Sequence, residues 1–215
     1  MKRLFYAFGP YCSGKDTLMK YLERYCAKRL GISVIKRHTD RELRKEEENA
    51  EWRSFIHEPG FYIPEGDECI NKFSVNVKNF KGETTEKHWW NLKSEFDSEY
   101  GFMTGGIKEV VSMCKEDLPI ENIHIMYLKI DAETMFKRAI YRADHNEPVG
   151  EVIRRLYQDY NDYMNPDGSF DTYIADISNS PNFFERGLFA ANRPVYSVLE
   201  SAVEYIDGWV RIDRK

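Results

Sequence analysis

The sequence predicts an α/β fold, in which a parallel sheet carries helices on both faces. Short apolar or β-branched runs, which are typical of buried strands, alternate with longer segments whose apolar residues recur at helical spacing. Strands that alternate with helices favour parallel pairing in a layered fold. A chain of 215 residues is long enough for one substantial core and a small lid, but hardly for two independent domains. We therefore expect residues 1–215 to form a single domain.

The composition restricts the class of partner. Hydrophobic residues make up 42% of the chain and charged residues 31%, which is typical of a globular protein. The formal net charge of -5 disfavours a nucleic-acid polymer and favours a small phosphorylated molecule. Four widely spaced cysteines and five scattered histidines predict a cytoplasmic protein without a histidine metal site. We expect no membrane association, because no apolar run is long enough to span a bilayer; the pattern does not indicate an oligomeric state.

The amino-terminal part shows two strand patterns separated by one helix. Residues 4–8 and 32–36 are short apolar or β-branched runs. Between them, apolar side chains fall at helical spacing at Leu18, Leu22, Tyr25 and Cys26. Gly31 stands where a left-handed residue commonly ends a helix. We therefore expect a strand, a helix and a second strand at the start of the chain.

The middle of the chain combines strand and helix patterns. The charged residues 43–56 predict a helix, whereas residues 69–83 alternate as a strand of a small antiparallel sheet does. Residues 85–96 and 105–118 predict two further helices, on either side of a weak strand at residues 100–103. We expect this part to join a small second sheet to the main one.

The carboxy-terminal part begins with the clearest strand pattern, at residues 122–130, after which Asp131 caps a helix. A second helix pattern covers residues 147–164, and a turn at residues 165–168 leads to a predicted strand at residues 170–175. A turn-rich aromatic loop follows. The last helix is predicted from the spacing of Val198, Ala202, Tyr205 and Ile206.

The segment "GPYCSGKDT", residues 9–17, has the spacing of a phosphate-binding loop. The motif is G-x-x-x-x-G-K, and Gly9, Gly14 and Lys15 match it. Glycines let consecutive amides, here including that of Ser13, turn toward a polyphosphate while the lysine reaches its outer oxygens. The predicted helix behind the loop adds donors and partial positive charge. These flanks favour phosphate binding over a chance glycine turn.

A nucleoside triphosphate bound in such a loop brings Mg²⁺, so ATP and Mg²⁺ are the predicted cofactors. The motif normally follows its lysine with Ser or Thr, whose hydroxyl binds the metal; here Asp16 comes first and Thr17 second. A carboxylate can hold Mg²⁺ through water. Asp16 and Thr17 are therefore both candidate metal ligands, although Asp16 also suits the first turn of a helix for electrostatic reasons alone.

Two segments, "GPYCSGKDTLMKYL" and "VIKRHTDRELR", resemble the guanylate kinase family of P-loop nucleoside monophosphate kinases, which carries G-P-x-x-x-G-K-x-T and T-T-R-x-x-R. The resemblance implies a guanylate-kinase-like P-loop NTPase fold with an acceptor-binding insertion at residues 37–97. It also implies that Thr39, Arg41 and Arg44 bind the acceptor phosphate. Two planar guanidinium groups suit a phosphate dianion on chemical grounds too, although a solvated charged turn has the same composition.

The similarity returns in the second half, where "IHIMYLKIDAETMFKRAIYR", "EVIRRL" and "FDTYIAD" resemble a strand and helix, a second helix and a later strand of the family. By position, the resemblance implies that Arg138, Arg142 and Arg155 approach the transferred phosphoryl group, with residues 142–150 as a lid. Residues 179–182 would border the donor base. Because phosphoryl transfer depends on positioning and charge neutralisation, these arginines, Lys15 and Mg²⁺ suffice without a nucleophile.

The region expected to recognise the acceptor base departs from the family. Where the family has I-D-x-Q-G-A, this chain has "YGFMTGG", so the aspartate that recognises guanine is missing. The predicted acceptor is a GMP-like nucleoside monophosphate. The alternative is ribose 1,5-bisphosphate, whose phosphokinase carries G-P-x-x-x-G-K-D-[ST] and so matches Asp16 and Thr17 better. A second alternative is a non-catalytic module of the same fold; such modules characteristically lose the loop lysine, and Lys15 is present.

Overall fold

The computed structural model describes residues 1–43, 45–58, 68–78, 84–115, 118–145, 149–165, 168–181, 183–190 and 195–215. In chain order, its strands are β1 (Arg3–Phe8), β2 (Ser33–Val34), β3 (Arg37–Thr39), β4 (Phe55–His57), β5 (Cys69–Lys78), β6 (Thr84–Leu92), β7 (Tyr100–Gly105), β8 (Asn122–Lys129) and β9 (Phe183–Ala190). Its helices are α1 (Lys15–Tyr21), α2 (Ala27–Leu30), α3 (Lys45–Glu48), α4 (Ile107–Lys115), α5 (Ala132–His145), α6 (Val149–Tyr163), α7 (Phe170–Ser178) and α8 (Val195–Asp213). A π-helical turn, Leu22–Cys26, joins α1 to α2, and a 3₁₀ turn, Lys93–Phe96, follows β6.

The central sheet has the strand order β2–β7–β1–β8–β9, and each pairing among its described residues is parallel. β1 lies in the middle, and every one of its residues is buried. A parallel strand covered on both faces is apolar along its whole length, which explains the uninterrupted run at residues 4–8. The predicted α/β class with a parallel sheet is confirmed.

Helices cover both faces of this sheet. Phe5 and Ala7 of β1 pack on one face with buried residues of α1, α5, α6 and α8. Tyr6 and Phe8 pack on the other face with buried residues of α4 and α7. This division follows from the alternation of side chains along a strand. Within the described ranges, none of the helices combines the length and the apolar character that crossing a membrane requires.

A second, smaller sheet has the order β4–β3–β6–β5. β5 and β6 are antiparallel, with a bulge between Ile70 and Phe73, and β3 pairs antiparallel with β6 and parallel with β4. The strand expected from the alternation at residues 69–83 is confirmed over Cys69–Lys78. Residues from 37 onward thus leave the central sheet and return to it at β7.

Two predicted helix ends are confirmed at the level of single residues. Gly31 has φ 68° and ends α2, in the left-handed conformation that glycine adopts without strain. The Thr134 amide donates to Asp131 Oδ1 at 2.6 Å, so Asp131 caps α5 as expected. Both are local signals that do not depend on the rest of the fold.

The helix predicted at residues 85–96 is wrong, because most of that segment is strand β6. β6 pairs with β5 along its length and with β3 on its other side. Trp90, only 1% exposed, stacks on His38 of β3 at 5.7 Å between ring centroids. Threonine and tryptophan fit a half-buried pleated surface well. Two partner strands therefore outweigh the local preference for a helix.

The charged helix predicted at residues 43–56 is also wrong in extent. Among the residues of this segment that the structure describes, only those of α3 are helical, and β4 at the end of the segment pairs with β3 instead. The Arg53 guanidinium donates to the carbonyl oxygens of Glu47 and Glu48 at 2.8 and 3.0 Å. These carbonyl groups are the ones that a helix end leaves without an internal partner. Arg53 therefore caps α3 after one turn.

The strand predicted at residues 170–175 is helix α7, and the next strand of the sheet is β9, in the segment expected to be a loop. Phe170, Tyr173, Ile174 and Ile177 all pack against the core that contains α4, at a spacing typical of one helix face. The assignment of a family strand to "FDTYIAD" is therefore wrong. Residues 179–182 are the ones expected to border the donor base. Asn179 is the C-cap residue of α7, and residue 182 lies outside the described residues.

Candidate phosphate-binding site

The candidate phosphate loop lies where β1 ends and α1 begins, and the backbone geometry explains why both motif positions hold glycine. Gly14 has φ 95°, a left-handed conformation that other residues adopt only with strain. A Cβ on Gly9 would lie 2.6 Å from the Leu128 carbonyl oxygen of β8. The loop thus lies at the carboxyl ends of the parallel strands β1 and β8. From these two strands the chain continues toward opposite sides of the sheet, to β2 and to β9. Sheets of α/β proteins bind their ligands at such a point.

The Lys15 side chain folds back over the loop. Its Nζ donates to the carbonyl oxygens of Gly9 and Pro10 at 2.6 and 2.9 Å, and to Ser13 Oγ at 3.4 Å. Burial lowers the pKa of Lys15, while the carboxylates of Asp159, Asp16 and Glu109 oppose this. The ammonium group is therefore held at the loop by neutral oxygens that phosphate oxygens can replace.

A cavity of about 710 Å³ opens over the loop. One part of its wall is the loop itself, from Tyr11 to Thr17. A second part of the wall is cationic, and a third part is apolar. The lining residues beyond the loop are Lys137, Arg138, Arg142 and Arg155, and the hydrophobic or aromatic side chains Leu18, Leu128, Tyr141, Val198 and Leu199.

The structure brings Arg138, Arg142 and Arg155 together at this cavity, although they come from two helices. An Arg138 guanidinium nitrogen donates to the Cys12 carbonyl oxygen of the loop at 3.0 Å. The guanidinium groups of Arg142 and Arg155 lie 5.3 and 5.4 Å from the centre of the Tyr11 ring. With Lys15 and Lys137, the three arginines give the cavity wall five basic side chains, of which Lys137 and Arg155 pair with Glu133 and Glu151. Such a wall favours an anion.

Asp16 and Thr17 are exposed in the first turn of α1 and line the cavity. They offer a carboxylate and a hydroxyl, the oxygen donors that Mg²⁺ prefers when phosphates and water complete its shell. Within the described part of the chain, no three His, Cys, Asp or Glu side chains form a metal-binding group by themselves. The residues present therefore fit a metal that arrives with a polyphosphate, not one held by protein alone.

The expected acceptor residues lie elsewhere. Among described residues, Thr39 and Arg41 do not contribute to the cavity wall. The Arg41 guanidinium makes two bonds to the Glu47 carboxylate, at 2.7 and 2.8 Å, and lies 4.1 Å from the Phe55 ring centre. The buried Thr39 hydroxyl accepts from the Arg41 amide at 3.2 Å. Arg44 lies outside the described residues.

Sequence reasoning missed an ion pair beside the loop. The Arg37 guanidinium donates to Glu109 of α4, and to the Thr104 carbonyl oxygen at 2.7 Å. Glu109 also accepts from the Tyr6 hydroxyl at 3.2 Å and the Gly106 amide at 2.8 Å. Burial acts to lower the pKa of Arg37, but the Glu109 carboxylate outweighs it and the pKa is raised. The pair fixes the second sheet against the carboxyl end of β7.

Sequence reasoning also missed Asp159 of α6, whose carboxylate accepts a hydrogen bond from the Tyr11 amide of the loop. Burial raises the pKa of Asp159, and the Lys15 ammonium opposes that shift. The one available signal was spacing, because Asp159 follows Arg155 by four residues and so shares its helix face. α6 therefore presents one cation and one anion to the loop.

Fold and site together define a parallel α/β protein with a strand, phosphate-type loop and helix at its centre. No family model matches the sequence, and no curated protein matches it. Among solved structures, the chain is similar to a guanylate kinase from Anaplasma phagocytophilum, at 12% sequence identity and a TM-score of 0.40, with 99% of this chain and 85% of that chain covered. A similarity this distant leaves the function to be argued from the site.

Proposed function

We propose that this protein is an ATP-dependent phosphotransferase that adds a phosphoryl group to a small phosphorylated acceptor. The observation that carries the proposal is the cavity in which Lys15 and the loop amides meet Arg138, Arg142 and Arg155. A transferring phosphoryl group spreads negative charge over its oxygens, and cations from separate elements stabilise that charge from several sides.

Each residue of the site has a distinct role in this proposal. Lys15 and the loop amides hold the β- and γ-phosphates, while Arg138 braces the loop and the other two arginines approach the transferred group. Asp16 or Thr17 would hold Mg²⁺, which when bound neutralises phosphate charge. The wall formed by Leu128, Tyr141, Val198 and Leu199 is apolar enough to cover a nucleotide base.

A GMP-like nucleoside monophosphate is the proposed acceptor, and ribose 1,5-bisphosphate is the alternative. Arg41 is paired with the Glu47 carboxylate in this structure. It can bind an acceptor phosphate only if the phosphate replaces that carboxylate. Such an exchange conserves the charge-assisted bonds of the guanidinium, because a phosphate offers the same paired oxygens. The proposed acceptor site therefore begins with Arg41 and extends toward the cavity.

The test is ADP formation from MgATP in the presence of ribo- and deoxyribonucleoside monophosphates and ribose 1,5-bisphosphate, each assayed separately. Lys15→Ala removes the loop ammonium, and Lys28→Ala, an exposed lysine of α2, is the matched control. Turnover with one acceptor that is lost only in Lys15→Ala supports the proposal and identifies the acceptor. MgATP binding without turnover on any acceptor would instead favour a non-catalytic binding module.

A further inference from the structure

A carboxylate occupies one donor of the candidate phosphate loop. Asp159 accepts from the Tyr11 amide, 148 residues earlier in the chain. The Lys15 ammonium lies at the same end of the loop, since it bonds to the carbonyl oxygens of Gly9 and Pro10. An amide and an ammonium that both face an anion form a phosphate-type site. In this structure the anion is part of the protein.

The charges around Asp159 come from two helices, α1 and α6. Lys15 and the Arg155 guanidinium attract its carboxylate, whereas Asp162 on the next turn of α6 repels it. The phenol of Tyr163 is a further titratable neighbour. Arg155, which also pairs with Glu151, precedes Asp159 by one turn, so a carboxylate that leaves the loop still has a cation on its own helix.

The position of Asp159 along the loop decides which phosphate it opposes. In a loop of this type, amides near the start of the helix cradle the inner phosphates, and the lysine reaches toward the outer ones. The Tyr11 amide lies before the helix start and belongs to the same peptide group as the Pro10 carbonyl oxygen that Lys15 Nζ contacts, so it belongs to the outer end. Asp159 therefore stands where the terminal phosphate of a nucleoside triphosphate would lie, and it leaves the inner positions open.

We propose that Asp159 acts as an internal stand-in for the terminal phosphate, so that it weakens the binding of a nucleoside triphosphate but not of the corresponding diphosphate. This inference rests on the proposed function and deepens it, because it assigns a residue that distinguishes the triphosphate donor from the diphosphate that remains after transfer. A triphosphate must displace a carboxylate that is tethered next to its site and therefore competes at high effective concentration. A diphosphate binds while Asp159 stays bonded to the Tyr11 amide. Its two phosphates and the carboxylate then occupy the positions that the three phosphates of a triphosphate would take.

The experiment compares the dissociation constants of ATP and ADP by isothermal titration calorimetry, with EDTA present so that no metal contributes. Asp159→Asn removes the charge at almost unchanged size, and we expect ATP to bind about tenfold tighter or more while ADP changes less than about threefold. Asp171→Asn, an exposed acidic residue of α7, changes the net charge equally and should leave both constants unchanged. Asp159→Ser is a second charge-free variant that must act in the same direction.

The outcomes separate this inference from the proposed function. Equal gains for ATP and ADP in both Asp159 variants, or no gain at all, would overturn the role of Asp159 while Lys15-dependent binding of both nucleotides still supported the loop. Failure of wild type and variants to bind either nucleotide would overturn the proposed function, and the inference with it. A larger gain for ATP than for ADP, absent in Asp171→Asn, is the result that supports the inference.

Discussion

Gly9→Ala is the substitution whose effect follows most directly from the loop geometry. The added Cβ would lie 2.6 Å from the Leu128 carbonyl oxygen, 2.8 Å from Ser13 Oγ and 3.2 Å from Leu128 Cβ. Two of these contacts are closer than carbon and oxygen atoms tolerate. Because one involves the backbone of a central strand, rotation of a side chain cannot relieve it. The loop must therefore move away from β8.

The expected cost follows from overpacking a dense interior, which is typically about 1–3 kcal/mol. For a chain of this size each kcal/mol lowers the melting temperature by about 2–4 °C. We therefore expect a decrease of about 2–12 °C. Displacement of Ser13 also disturbs the position of Lys15, which bonds to its hydroxyl oxygen, so ATP binding should weaken together with stability.

The assay pairs thermal unfolding with calorimetric ATP binding for Gly9→Ala and a matched glycine. Gly208 lies inside α8, and apart from its chain neighbours and the backbone of its own helical turns, no described atom comes within 4 Å of a Cβ placed there. Gly208→Ala should therefore stabilise the protein by about 0.5–1 kcal/mol and leave ATP binding unchanged, because alanine favours a helix. An unchanged melting temperature and ATP affinity in Gly9→Ala would refute the argument from close approach.

Three further outcomes are expected. Asp213→Ala should lower the free energy of unfolding by about 3–5 kcal/mol in urea denaturation, because it leaves the buried Arg3 guanidinium, bonded to both Asp213 carboxylate oxygens at 2.5 and 2.7 Å, without its anion. Stability should also fall as the pH decreases from about 6.5 toward 4. Burial lowers the pKa of His124 to about 4, so the unfolded chain binds the proton at a higher pH than the folded protein does. In His124→Gln, the difference between the unfolding free energies at pH 7 and pH 5 should lose this contribution. Finally, Arg41→Ala should raise the KM for the acceptor and spare ATP binding, and equal loss of both would contradict its assignment to the acceptor.

The loop and its flanking elements could be predicted because their signals are local. The motif spacing of Gly9, Gly14 and Lys15 is visible within nine residues. An apolar run precedes these residues and a helical pattern follows them. Arg138, Arg142 and Arg155 all line the cavity over the loop, and their approach to a transferred phosphoryl group stays a prediction. A strand, a glycine-containing turn and a helix at this spacing can be recognised in the sequence without the rest of the fold.

The elements that were predicted wrongly depend on distant partners. β6 is a strand because β5 and β3 pair with it, and α7 is a helix because one face packs against the α4 side of the core. β5 directly precedes β6 along the chain, but β3 and α4 lie far from the segments that they pack against, outside any local window. Asp159 was missed for the same reason, since its bond to Tyr11 spans most of the chain. Composition also gave no sign that Glu47 neutralises Arg41.

Helix α8 links the two ends of β1, and this affects the order in which the protein is made. Its first turns supply Val198 and Leu199 to the cavity wall, and its last turn supplies Asp213 to Arg3 at the opposite edge of the sheet. A nascent chain folds from its amino terminus as it leaves the ribosome. The loop emerges first, but its cavity stays open on one side until residues 195–213 have been synthesised, so a growing chain completes the wall of this cavity only after α8 has left the ribosome.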